Sequence, residues 1–240
     1  SEDDELIKKI KKLAEEIIDE IRKLIEKSKE ILKRLLDELR KLIEKSKKLL
    51  KETLDKLRKD KREAREDLER VETVIKRAAE EHDRLLKEID DALKRLEEEH
   101  EKLLTDVREV LKEVKKELDE LKDKNADRTE LLDVLRKALE EAKKVLERLL
   151  KLNREAIETL ERVLRKLLKL HRDVLARIEE DGLDEEALKE LEKKTRDLED
   201  EIRKVKDDVK RRHDELKEEI ERVLDELRKV LKRLEDEARK

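Results

Sequence analysis

Apolar residues recur every three or four positions along almost the whole chain. Ile10, Ala14, Ile17, Ile21 and Leu24, followed by Ile31, Leu35, Leu39 and Leu42, mark one face of a helix. A longer repeat lies beneath this stripe. Residues 19–36 read DEIRKLIEKSKEILKRLL and residues 37–54 read DELRKLIEKSKKLLKETL, an offset of 18. The same offset relates residues 139–156 to residues 157–174. Eighteen residues in five turns is about 3.6 per turn, the period of a straight helix. The pattern therefore predicts an all-α fold, a long, nearly untwisted antiparallel four-helix bundle forming one domain over residues 1–240.

Breaks in the stripe set the segments. Asn125-Ala126-Asp127 reads as a turn, with Asp127 as the next N-cap and Glu130 three residues on, where a capping box places its Glu. Asp181-Gly182-Leu183-Asp184 supplies the chain's one Gly at a C′ position and Asp184 as the following N-cap. The expected helical segments are about 3–58, 64–123, 128–181 and 185–239.

The boundary near residue 64 is different. Lys59-Asp60-Lys61-Arg62-Glu63-Ala64-Arg65 contains no strong turn signal. The missing turn chemistry favours one continuous helix from about 3 to 123, which makes the particle a homodimer completed by domain swap about a two-fold axis at Ala64. A tight hairpin at 62–66 and a monomeric bundle is the alternative.

The rare polar residues interrupt the stripe in register. Beyond Ser1 and the turn residue Asn125, Ser stands only at Ser28 and Ser46, Asn only at Asn153, and His at His82, His100, His171 and His213. Thr195 falls in the same register. Within each segment the members are 18 apart. Antiparallel neighbours lie at equal height when they share a midpoint. His82 with His171, and His100 with Asn153, share one between Ala126 and Asp127. His171 with Thr195, and Asn153 with His213, share Leu183. Ser46 with His82, and Ser28 with His100, share Ala64. Two polar layers result: Ser46, His82, His171 and Thr195; and Ser28, His100, Asn153 and His213. A helical rise of about 1.5 Å per residue separates them by about 27 Å.

Imidazole offers a donor and an acceptor that Ser, Thr and Asn complement, so each layer is first read as a buried hydrogen-bond network. Two alternatives compete. A pair of His per layer offers axial ligands to haem or ligands to a metal. Only Ala78 and Ala79 leave room beside His82, while Leu42, Leu49, Leu167 and Leu175 fill the other side. A di-iron site needs two Glu-x-x-His motifs, and only Glu97-x-x-His100 fits. A pH-responsive switch is the other alternative, since desolvation disfavours a buried imidazolium.

Composition sharpens this picture. Charged residues are 58% of the 240, and Phe, Tyr, Trp, Met, Cys and Pro are all missing, as is Gln. No thiolate chemistry is available, and no nucleophile elbow, P-loop or catalytic carboxylate pair is visible. The formal net charge is −4 with both signs interspersed, which argues against a nucleic-acid surface. No apolar run is long enough to span a membrane and no signal peptide is visible.

The alphabet, the 18-residue repeat and the polar layers together resemble the de novo computationally designed parametric helical bundles with buried hydrogen-bond networks. The resemblance covers the whole chain. It implies a self-assembling structural scaffold, no enzyme, no cofactor, no small-molecule substrate and no partner but itself. It also implies a soluble product with no natural compartment, made in the bacterial cytoplasm.

Overall fold

A computed structural model of the chain describes residues 2–59, 65–181 and 185–238. It consists of four long helices packed against each other: α1 Glu2–Lys59, α2 Arg65–Asp123, α3 Arg128–Glu180 and α4 Glu185–Ala238. No strand occurs among the described residues, so the chain is an all-α helical bundle. The continuity or turn at residues 60–64, the two-fold centre at Ala64, and the capping roles of Gly182 and Asp184 lie outside the described residues.

The helices contribute to two compact units. Unit 1 comprises residues 1–31, 96–155 and 212–240, and unit 2 comprises residues 32–95 and 156–211. In unit 2 all four helices meet in one apolar cluster. Leu54 and Leu57 of α1, Val71 and Ile75 of α2, Ile178 of α3 and Leu191 of α4 are among its buried members. In unit 1 the buried set includes Ile21 and Ile25 of α1, Leu103 and Leu118 of α2, Leu146 and Leu149 of α3, and Leu216 and Ile220 of α4. Among the described residues no large hydrophobic side chain is exposed. At about 25 cal/mol per Å² of apolar surface, such burial is the dominant favourable term for chains this rich in Leu and Ile.

Charged side chains on the flanks of the stripes report which helices are neighbours. In unit 1, Lys11 pairs with Asp119 at 2.7 Å and Lys29 with Glu101 at 2.9 Å, joining α1 to α2. Lys27 pairs with Glu219 at 2.6 Å, joining α1 to α4, and Arg148 with Asp106, joining α3 to α2. In unit 2, Arg40 pairs with Asp90 and Arg58 with Glu72 between α1 and α2. Lys166 meets Glu88 at 3.4 Å between α3 and α2, and Arg172 meets Glu199 at 3.1 Å between α3 and α4. Exposed pairs of this kind each contribute little to stability. Their spacing is the informative part. Lys11 and Lys29 are 18 apart and so are Arg40 and Arg58, while their α2 partners step back by 18. Within each unit, then, the same face of α1 returns to α2 after five turns, as the sequence period requires.

The α2–α3 turn is built from local chemistry. Asn125 has a φ of 52°, a left-handed conformation that Asn tolerates better than most residues. Ala126 N–H donates to Leu121 C=O at 3.1 Å and Asn125 N–H to Lys122 C=O at 3.4 Å, the paired bonds of a Schellman cap. Asp127 then starts α3, accepting the Glu130 backbone N–H on its Oδ1 at 3.0 Å. Replacing Asp127 by Ala removes that acceptor. A loss of about 1 kcal/mol in unfolding free energy is expected, read from the denaturant midpoint; an unchanged midpoint would show that water caps α3 equally well.

Candidate functional site: two buried polar layers

Unit 2 brings together Ser46 of α1, His82 of α2, His171 of α3 and Thr195 of α4, none more than 2% exposed. Ser46 Oγ lies 2.7 Å from His82 Nε2 and 3.1 Å from His171 Nδ1. His171 Nε2 lies 3.0 Å from Thr195 Oγ1. Two further bonds tie the layer to backbone. His82 Nδ1 is 2.5 Å from the Ala78 carbonyl and Thr195 Oγ1 is 2.6 Å from the Leu191 carbonyl, each four residues back on the same helix. A carbonyl only accepts, so His82 carries its proton on Nδ1 and its Nε2 accepts from the Ser46 hydroxyl. Ser46, having spent its one hydrogen, accepts from His171.

Unit 1 brings together Ser28 of α1, His100 of α2 and Asn153 of α3, all buried. His100 Nδ1 is 2.6 Å from the Leu96 carbonyl, which fixes the same tautomer as in His82. Ser28 Oγ, 2.8 Å away, donates to His100 Nε2 and accepts from Asn153 Nδ2 at 2.7 Å. A single directed chain results, from Asn153 through Ser28 and His100 to the Leu96 carbonyl. His213 of α4, placed in this layer by the sequence register, is not drawn into these bonds. Its ring is half-buried and its Nδ1, enclosed by protein, has no partner. Each of the three unit 1 contacts has its hydrogen without His213.

Sequence reasoning missed the backbone anchors. The Ala78, Leu96 and Leu191 carbonyls decide the tautomers and hydroxyl directions, and no residue type marks them. The signal available is positional: a ring or hydroxyl pointing back along its own helix reaches the carbonyl four residues earlier. Thr53, buried in α1, does the same toward the Leu49 carbonyl at 2.9 Å.

Burial sets the electrostatics. Desolvation holds His82 and His100 below the ordinary imidazole value, opposed by the carbonyl bonds of Ala78 and Leu96. Desolvation, and then repulsion from His82, push His171 down from 6.5 to about 4, opposed by Glu199. Among the described residues no group of three or more His, Asp or Glu is placed to hold a metal ion, and no helix is long and apolar enough to cross a membrane.

A surface cleft of about 660 Å³ lies between α2 and α3 of unit 1, floored by Val114, Val134 and Ala138 and rimmed by charged side chains. No family model matches the chain, and no curated protein or solved structure matches it either.

Two predictions follow from the ring environments. In 15N-labelled protein at pH 8, His82 and His100 carry the proton on Nδ1, the rarer tautomer in free imidazole side chains; Nε2–H signals at both would break the bond directions given above. The second concerns pH. A folded value below the unfolded one means that the unfolded chain binds more protons, so stability is full above about 6.5 and falls as pH drops toward 4. For His171 the loss by pH 4 is on the order of 3 kcal/mol. Denaturant unfolding at pH 7 and pH 4 should show the native chain losing that much more than a His171→Asn variant; equal losses would mean a solvated or already charged ring.

Proposed function

We propose that this chain is a designed structural scaffold with no evolved catalytic activity, and that its two polar layers hold four otherwise interchangeable helices in one register. The observation that carries this reading is the bonding of buried polar side chains from different helices within each layer. Ser28 and Ser46 each bridge two other helices. Sliding one helix by a turn would replace a Ser–His bond with a polar atom against Leu, and a buried unpaired polar group costs about 1–3 kcal/mol. Leu and Ile cores alone tolerate such slips, and connected polar layers penalise them. The narrow alphabet supports a designed origin, since strong helix formers fill the surface and Leu, Ile, Val and Ala fill the interior.

The test is a pair of variants, Ser28→Ala and Ser46→Ala. Each orphans buried ring or amide atoms on two neighbouring helices, so each should lower stability by about 1–3 kcal/mol, with interhelix contacts shifted or doubled in NMR spectra. Retained stability and a single unshifted set of contacts would overturn the register role.

A second reading, pH response, is favoured by the depressed values of His82, His100 and His171. The haem or metal reading gains less. His82, His100 and His171 have both ring nitrogens within bonding distance of protein partners, so a metal would have to displace those bonds. Titration with haem or Zn²⁺ separates the readings, because tight stoichiometric binding would favour the cofactor site.

The assembly state belongs to the same proposal. We place this scaffold as a two-fold homodimer in which α1 of each copy completes the other's bundle. The α1–α2 contacts above are made within one chain, and a swapped dimer makes the same contacts between chains. Light scattering distinguishes them: two chains of 29.0 kDa per particle for the dimer, one for the hairpin monomer, which would refute the swap.

A further inference from the structure

The two layers look alike in composition, but they differ in their hydrogen count. In unit 1 three contacts need three hydrogens. His100 Nδ1–H serves Leu96, the Ser28 hydroxyl serves His100, and the Asn153 amide serves Ser28. With His100 neutral every contact has its hydrogen.

In unit 2 there are five contacts: His82 with Ala78, Ser46 with His82, Ser46 with His171, His171 with Thr195, and Thr195 with Leu191. Two neutral imidazoles and two hydroxyls bring only four hydrogens. Whichever tautomers are chosen, one contact sets two acceptors against each other. If Thr195 donates to Leu191, His171 Nε2 faces a hydroxyl lone pair. If Thr195 turns to His171, its oxygen faces the Leu191 carbonyl at 2.6 Å. If His171 takes the Nε2–H tautomer, Ser46 must donate to its Nδ1, and His82 Nε2 loses its donor.

From this count we propose that the unit 2 layer is a binding site for one proton, shared between His82 and His171 through Ser46, and that the unit 1 layer is not. A proton taken from water by the free lone pair of His171 Nε2 completes all five contacts. The imidazolium donates from Nδ1 to Ser46 and from Nε2 to Thr195, which donates onward to Leu191. The charge can then move without any heavy atom leaving its place. His171 passes its Nδ1 proton to Ser46 as Ser46 passes its own to His82 Nε2. His82 becomes the cation, His171 becomes neutral, and all five contacts keep a hydrogen. In unit 1 the same proton would be unwelcome. A proton on His100 Nε2 would point at Ser28, whose own hydrogen would find an acceptor only if the Asn153 amide turned over to present Oδ1, a rearrangement that the unit 2 layer does not need.

The carboxylates beside the layer are themselves in ion pairs. Beside the layer stand Lys47 on α1, Glu81 and Asp83 on α2, Arg172 on α3 and Glu199 on α4. Lys47 pairs with Asp83, Arg84 with Glu81, and Arg172 with Glu199. Asp83 and Glu81 still favour a charge on His82 and Glu199 one on His171, and the hydrogen bonds add to them. Desolvation, and then repulsion between the two rings, keep a second proton off the pair, so the site takes one proton before two.

The inference rests on the buried layer but not on its register role, and the two fail separately. Imidazole 15N shifts of the full-length protein are followed from pH 8 to pH 3. The shifts of His82 and His171 should move together, in a first one-proton step centred about one pH unit or more above that of His100, tenfold in proton affinity. Thr195→Val keeps the shape but removes two of the five contacts and one hydrogen, leaving three contacts with three hydrogens, so the first step should fall by about one unit while His100 stays in place. Ser46→Ala should lower it too and let the two rings titrate apart. Circular dichroism checks helicity in each variant. A first step in the native protein at or below that of His100 overturns the proposal, even if neither variant folds. An unmoved step in a folded Thr195→Val protein does the same. A shared proton with no stability change in Ser46→Ala would instead sink the register reading.

Discussion

A ring nitrogen sealed away from water is destabilising without a partner, and His82, His100 and His171 each find one at both nitrogens. An unpartnered buried donor or acceptor costs about 1–3 kcal/mol, a large fraction of the net stability of most domains. His82 and His100 each meet the demand first with a carbonyl of their own helix, four residues back. That bond consumes the Nδ1 proton and leaves Nε2 as an acceptor facing α1. A hydroxyl is the smallest group that can donate there and still accept from a third helix. Ser28 and Ser46 fill that role, and the distance at which α1 approaches α2 and α3 follows from their short side chains.

The apolar core and the polar layers therefore do different work. Leu, Ile and Val supply the driving force, which is large but nearly indifferent to a one-turn slip of one helix past another. In the proposed reading the layers contribute less free energy and much more discrimination. Ion pairs on the flanks, such as Lys29 with Glu101 and Lys47 with Asp83, repeat the same register at the surface, where screening leaves them weak. Agreement between core period, layer and flank is what gives a sequence one arrangement rather than several.

Histidine in this setting has a chemical consequence that an all-Asn or all-Ser layer would lack. The same atoms that fix register can take up a proton, and whether they do so comfortably depends on how many hydrogens the contacts already have. The unit 1 chain is complete in its neutral form; the unit 2 ring of contacts is one short. Two nearly identical sets of residues thus have different proton affinities because Thr195, unlike His213, is engaged and also bonds its own backbone.

Much of this was legible in the sequence. The 3.6-residue stripe and the 18-residue repeat determine four helical segments and their buried faces, though not whether the first two are one helix, because side-chain direction on a helix follows from spacing alone. The turn at Asn125 and the cap at Asp127 are readable for the same reason, being set by residues a few positions apart. Equal spacing also brought Ser46, His82, His171 and Thr195 under suspicion as a group. What spacing does not contain is the direction of a hydrogen. His82 could have donated from either nitrogen, and only the Ala78 carbonyl at 2.5 Å decides which. His213, which spacing assigns to the other layer, has no partner for Nδ1, and spacing does not show that. Periodicity fixes which residues lie at one level of a bundle; the tertiary packing of four helices decides which of their atoms meet, and with them the tautomers and the proton count.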